Sequence, residues 1–186
     1  NKALDALLQK GELPPLAASR DNLGGAVLAA PSEATLAVTL DKWELAQRCA
    51  PLLRTPVTRL LNAEGIALRW IYPVIVKPRR GAGSRGVRLI PDRAALTAME
   101  PDEALIIQEH LPGDEFSVDV LADADGNVVA AVPRTRTRVD SGVSIAGQTV
   151  HDQALEDTAA AVARAIGLRG VANVQLRLDS DGIPAL

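Results

Sequence analysis

Apolar and polar residues alternate with a period of two in two stretches of this chain and follow a helical period in a third. From Glu115 to Ala122, Phe116, Val118 and Val120 fall on one face and Glu115, Ser117 and Asp119 on the other, as in a strand with one side buried. Val171 to Leu178 repeats the pattern, with Ala172, Val174, Leu176 and Leu178 opposite Asn173, Gln175 and Arg177. Between them Leu155, Ala159, Val162 and Ile166 recur at helical spacing behind the cap Asp152, and Gly167 stops that helix. Asp125-Gly126 turns the first strand into another, Asn127 to Val132. Asp123, Asp125 and Asn127 imitate the start of a calcium loop, but the glycine is misplaced and the twelfth position is Arg134, so the segment reads as a hairpin turn.

Upstream, Pro73 to Pro78 is a short buried strand, Arg79 to Gly86 a glycine-rich loop and Val87 to Ile90 a second strand, together a hairpin with a mobile tip. Asp92 can cap a helix to about Met99, and Ala104 to Gln108 forms an apolar strand ending at Glu109, where Leu111-Pro112-Gly113 breaks it. Asp41 and Glu44 have capping-box spacing for a helix that must end before Pro51. Before Asp41, Asn1 to Lys10 reads as a helix, and breaks at Pro14-Pro15, Gly24-Gly25 and Pro31 make residues 1–40 a connector and the remnant of a preceding domain. Ile183 to Leu186 reads as a strand just entered, so both ends are expected to be cut from something longer.

Composition narrows the function. A chain of 186 residues, 47% apolar, can fill the core of one domain or of two small halves sharing a cleft. Twenty basic against 23 acidic residues and an aromatic share of 2% argue against nucleic acid as a partner. Cys49 stands alone, which leaves no internal disulfide and assigns it to packing. No run of about 20 apolar residues offers a membrane span, so a soluble, cytoplasmic protein is the expectation. His110 and His151 are too far apart to argue a metal pair.

The candidate chemistry begins at Gly81-Ala82-Gly83-Ser84-Arg85-Gly86, literally G-x-G-x-x-G. A dinucleotide fingerprint must open a helix, whereas this loop runs into a strand. A kinase loop has its lysine after the glycines, and no H-R-D or D-F-G follows. What remains is a glycine backbone that lets N–H groups approach an anion, ringed by Arg79, Arg80, Arg85 and Arg88. Lys77, at the end of an apolar strand, needs an anion to offset its burial. Lys42 falls in the first turn of a helix, where the dipole repels a cation. A solvated turn and a snorkelling lysine are the bland alternatives.

These residues, in order and spacing with Ile106-Ile-Gln-Glu109-His-Leu111-Pro-Gly-Asp-Glu115-Phe-Ser-Val-Asp119, resemble the ATP-grasp superfamily, in the branch of the carbamoyl-phosphate synthase large chain and its carboxylate-amine ligase relatives. The resemblance runs from about Ala37 to Leu186. It implies an α+β fold in which two subdomains grip ATP between antiparallel sheets: a small lid subdomain at 41–105 and a C-terminal subdomain at 106–186. It implies that Lys42 and Lys77 contact the phosphates, with Lys77 catalytic, and that Gly81, Ala82, Gly83 and Ser84 close over them as a flap. Glu109, His110 and Leu111 would line the adenine pocket, and Glu115 would hold the ribose. Gln175 falls where the family places its first Mg²⁺ ligand, while the Glu-x-Asn that supplies the main ligands would lie beyond Leu186. The implied reaction is transfer of the γ-phosphoryl of ATP to a carboxylate or bicarbonate, followed by attack of an amine on the acyl phosphate. Partners are then small acids and amines, with a homo-oligomer left open.

Arg134, Arg136 and Arg138 alternate with threonines, so an extended segment would point all three one way. They could face the carboxylate or acyl phosphate, Arg138 as a catalytic cation, or form a solvated cationic strand. A biotin-carboxylase-like or carbamoyl-phosphate-forming subunit, an ATP-binding regulatory module without turnover, and a fragment that binds nothing are the competing readings.

Overall fold

The computed structural model describes residues 13–18, 30–140 and 143–186. The helix expected over Asn1 to Lys10 and the break at Gly24-Gly25 lie outside the described residues. Pro14 and Pro15 do not break the chain. They sit in helix α1 (Leu13–Ala18), whose first turn needs no backbone N–H.

Two antiparallel sheets organise the rest. The first has the order β1-β4-β2-β3, built from β1 (Thr58–Leu61), β2 (Val74–Pro78), β3 (Arg88–Ile90) and β4 (Asp102–Glu109). The second has the order β10-β9-β5-β6, from β5 (Glu115–Ala122), β6 (Val128–Thr135), β9 (Gly170–Leu178) and β10 (Pro184–Ala185). A ribbon of β7 (Arg138–Asp140) and β8 (Val143–Ala146) leaves the second sheet. Residues 110–114 alone carry the chain from β4 into β5.

The alternation seen in the sequence becomes the core of the second sheet. Val118, Val120, Val174 and Leu176 point inward against Leu155, Ala159 and Val162 of helix α6 (Gln153–Ala165), all nearly solvent-free. Asp152 caps that helix through the amides of Ala154 and Leu155. Helix α3 (Lys42–Cys49) adds Leu45 and Cys49 to the same core, which accounts for the buried thiol. Helix α2 (Glu33–Thr39), capped by Ser32, is joined to the end of α6 by the Thr35 hydroxyl, which donates to the carbonyl of Ile166 at 3.0 Å. The first sheet buries Leu61, Val74, Val76 and Ile107 with Trp70, Ile90 and Leu96; Leu96 comes from α5 (Arg93–Thr97), capped by Asp92.

Several elements were not anticipated. β1 is only four residues long, too short to show a period. Helix α4 (Ala63–Ala67) follows it, with Asn62 as cap and Gly65 so close to the Leu60 carbonyl that a Cβ would lie 2.0 Å from it. The ribbon β7-β8 starts where β6 stops, after Thr135.

Candidate functional site

Because Val74 and Val76 fill the core beneath the first sheet, the alternation of β2 sends Lys77 to the other face, toward the second sheet. The Lys77 amine is pushed down to about 8, chiefly by burial and then by the positive charge of Lys42, with Glu115 partly offsetting and Arg177 adding to the depression. The charged groups that act on the Lys77 amine are thus Lys42 of α3 and Glu115 and Arg177 of the second sheet. Among the described residues no ion pair is formed with the Lys77 ammonium.

Lys42 belongs to α3, and the capping residue before it explains how a cation stays in a first turn. Asp41 is almost fully buried; it accepts the amides of Trp43 and Glu44 and pairs with Arg79 at 2.8 Å and Arg80 at 3.4 Å. Burial works to raise the Asp41 carboxyl, but the bonds from Arg79 and the two amides hold it below the usual carboxylate range. The Lys42 ammonium bends to the root of the glycine hairpin and donates to the carbonyls of Pro78, Arg79 and Gly81 at 3.1, 3.4 and 2.9 Å. Burial lowers its pKa and Asp41 partly restores it. The hairpin itself is exposed. Gly81, Gly83, Ser84 and Gly86 all adopt positive φ, from 55° to 117°, so the tip can turn several N–H groups toward one side.

Glu109 ends β4 at the entrance to the link between the sheets. Its carboxylate is held by Arg54 (Nη2 to Oε1 2.7 Å, Nη1 to Oε2 3.2 Å) and by the amide of Val57 at 2.9 Å. Its side chain thus turns toward the connector that leads to β1. Leu111 is buried and His110 half-buried. Across the link, Glu115 is paired with Arg177 at 2.9 Å and with the buried Arg136 at 3.3 Å, and Arg177 also donates to the carbonyl of Gly113 at 3.0 Å. Sequence reasoning missed Asp41 as an anchor of the hairpin and missed Arg54 altogether. Arg177 it saw only as part of a polar face.

The polar face of the second sheet is ordered by register. Glu115 lies opposite Arg177, Ser117 opposite Gln175, and Asp119 opposite Asn173. Arg136 donates to Ser117 Oγ at 3.1 Å and Arg134 pairs with Asp119 at 3.0 Å. The expected row of three guanidinium groups is therefore corrected to two: β6 ends at Thr135, and Arg138 stands exposed on β7, outside the row. Gln175 is exposed on this face. It brings a single uncharged oxygen, and among the described residues no group of three or more acidic, histidine or cysteine side chains could hold a metal ion. These residues do not by themselves make a Mg²⁺ site.

A family described as "ATP-grasp in the biosynthetic pathway with Ter operon" matches residues 101–186. The arginine-specific large chain of carbamoyl phosphate synthase from Bacillus subtilis (strain 168) is 26% identical over 128 residues, covering 62% of this chain and 12% of that protein. The fold of this chain is the ATP-grasp fold. Its fold matches the L-amino acid ligase of Bacillus licheniformis with a TM-score of 0.67 at 20% identity, covering 92% of this chain and 44% of that one. It matches the biotin carboxylase of Campylobacter jejuni, solved as a βγ-ATP complex, with a TM-score of 0.71 at 22% identity, covering 84% and 41%. The chain thus spans less than half the length of these relatives. No helix among its described residues is long and apolar enough to cross a membrane.

Proposed function

We propose that this chain is the nucleotide-gripping part of an ATP-dependent ligase that phosphorylates a carboxylate, or bicarbonate, for attack by an amine. The observation that carries the reading is the half-buried Lys77 ammonium, at the root of the glycine hairpin, depressed to about 8 by burial and by a second lysine. A triphosphate is the anion that neutralises two such cations at once and accepts from the loop amides. Relatives of this fold include a ligase for L-amino acids and one solved with βγ-ATP, which agrees with that choice.

In this reading Lys77 and Lys42 hold the phosphates, and Gly81, Ala82, Gly83 and Ser84 close over them. The backbone of Glu109, His110 and Leu111 meets the adenine edge, and Glu115, steadied by Arg136 and Arg177, receives the ribose hydroxyls. An oxygen of the acid attacks the γ-phosphorus and the bond to the ADP oxygen breaks. The amine then adds to the acyl carbon, phosphate leaves, and the nitrogen gives up a proton. No protein nucleophile takes part; the protein contributes position and fixed charge. Mg²⁺ would supply charge neutralisation along the phosphates when bound; Gln175 is the one residue here offered to it.

Lys77→Met tests the reading. The variant should fold and lose the thermal stabilisation that MgATP gives the wild type, and it should lose phosphate release with a panel of carboxylates and amines. Unchanged MgATP affinity in that variant would refute the assignment.

A further inference from the structure

Arg54 has no place in the machinery described above, yet it makes more strong contacts than any of its neighbours in the connector between α3 and β1. Its guanidinium forks onto both oxygens of Glu109 at 2.7 and 3.2 Å, and its Nε donates to Asp179 Oδ2 at 3.2 Å. Its Nη1 also donates to the carbonyl of Thr55, and its own carbonyl accepts from the Leu186 amide at 3.3 Å. The first partner is the last residue of β4, in the first sheet. The second lies just past β9, in the second sheet, where the Asp179 carboxylate is fixed by the amides of Asp181 and Ile183 at 3.0 Å each. Glu109 chiefly raises the Arg54 pKa, and burial works against it.

Five residues, 110–114, are the only covalent path between the two sheets at this end, and they include the backbone that is assigned to the adenine. A five-residue link fixes little by itself. The link is held from one flank by Arg177 on Gly113. From the other flank, only a planar fork with a third donor can bind Glu109 at two points and still reach Asp179. We infer that Arg54 is a positioning residue of the nucleotide cleft: it ties the end of β4 to the turn after β9, sets the angle between the sheets, and keeps the Glu109 carboxylate off the adenine edge. This rests on the nucleotide reading above, which assigns the link to the base.

The test is isothermal titration of MgATP into the intact protein, with thermal melts alongside. The wild type should bind. Arg54→Lys keeps the charge but loses the fork, and should weaken binding about fivefold with a cooperative melt near that of the wild type. Arg54→Ala should weaken it tenfold or more. Glu109→Gln should weaken it too, and its effect should largely vanish in an Arg54→Ala background, because both changes break one tie. A merely structural arginine would lower the melting temperature without that coupling. If the wild type binds and Arg54→Lys and Glu109→Gln bind within twofold of it, the Arg54 assignment falls and the nucleotide reading stands. If the wild type binds no MgATP, the nucleotide reading falls and takes this one with it.

Discussion

A lysine ending an apolar strand is legible in a sequence because burial of a charge needs a reason, and Lys77 was legible in that way. The same position fixes how stability varies with pH. The folded amine is depressed to about 8 from an ordinary 10.5, chiefly by burial. Between those values the unfolded chain binds more protons than the folded one, so unfolding free energy rises with pH across that window. The destabilisation is fully present below about pH 8 and is relieved by about pH 10.5. Urea unfolding of the wild type and of Lys77→Met at pH 7 and pH 10 checks this. The stability advantage of the variant should shrink on the order of 3 kcal/mol toward the higher pH, and a difference that does not change with pH would contradict the cause assigned. Arg54 was not legible for an equally physical reason. Its carboxylate partners stand 55 and 125 residues away, and no local pattern announces an ion pair closed by the fold.

At the scale of elements, what could be read was what has a period or a cap. β5, β9 and α6 were found by alternation and helical spacing, and their inward residues are the observed core. The caps Asp41, Asp92 and Asp152 are the observed caps. β1 and the ribbon β7-β8 are three or four residues to a strand, and pairing across the sheet, not intrinsic pattern, makes them strands. The glycine hairpin sits between these cases: its sequence marks the turn, while its backbone state appears only in the structure. Gly81 has φ +117° and nothing within 4 Å of where a Cβ would stand, so Gly81→Ala meets strain in the backbone and not a clash. The loop is exposed and contributes to neither core, so the melting temperature should move by no more than a few degrees. MgATP affinity should fall about tenfold as the tip loses its reach over the phosphates, as titration calorimetry would read; an unchanged affinity would remove the flap role.

At the scale of the molecule, Lys77 from the first sheet and Lys42 from α3 act on one another electrostatically together with Glu115 and Arg177 of the second sheet. The resemblance named in the sequence implied that arrangement, but the identity of the acid and amine it serves has no comparable code, since the polar face of Ser117, Asp119, Asn173 and Gln175 would suit many small polar ligands. The cleft does fix the sign of one coupling. A triphosphate beside Lys77 favours its charged form and raises the depressed amine back toward its ordinary value. Near pH 8.5, where the free protein is largely deprotonated at Lys77, binding must therefore draw a proton from solution; near pH 7, where the amine is already charged, Lys77 draws almost none. Titrations of MgATP in two buffers of different ionisation heat should give different apparent enthalpies at pH 8.5 and nearly equal ones at pH 7. Equal apparent enthalpies in the two buffers at pH 8.5 would mean that another group, and not this lysine, meets the phosphates.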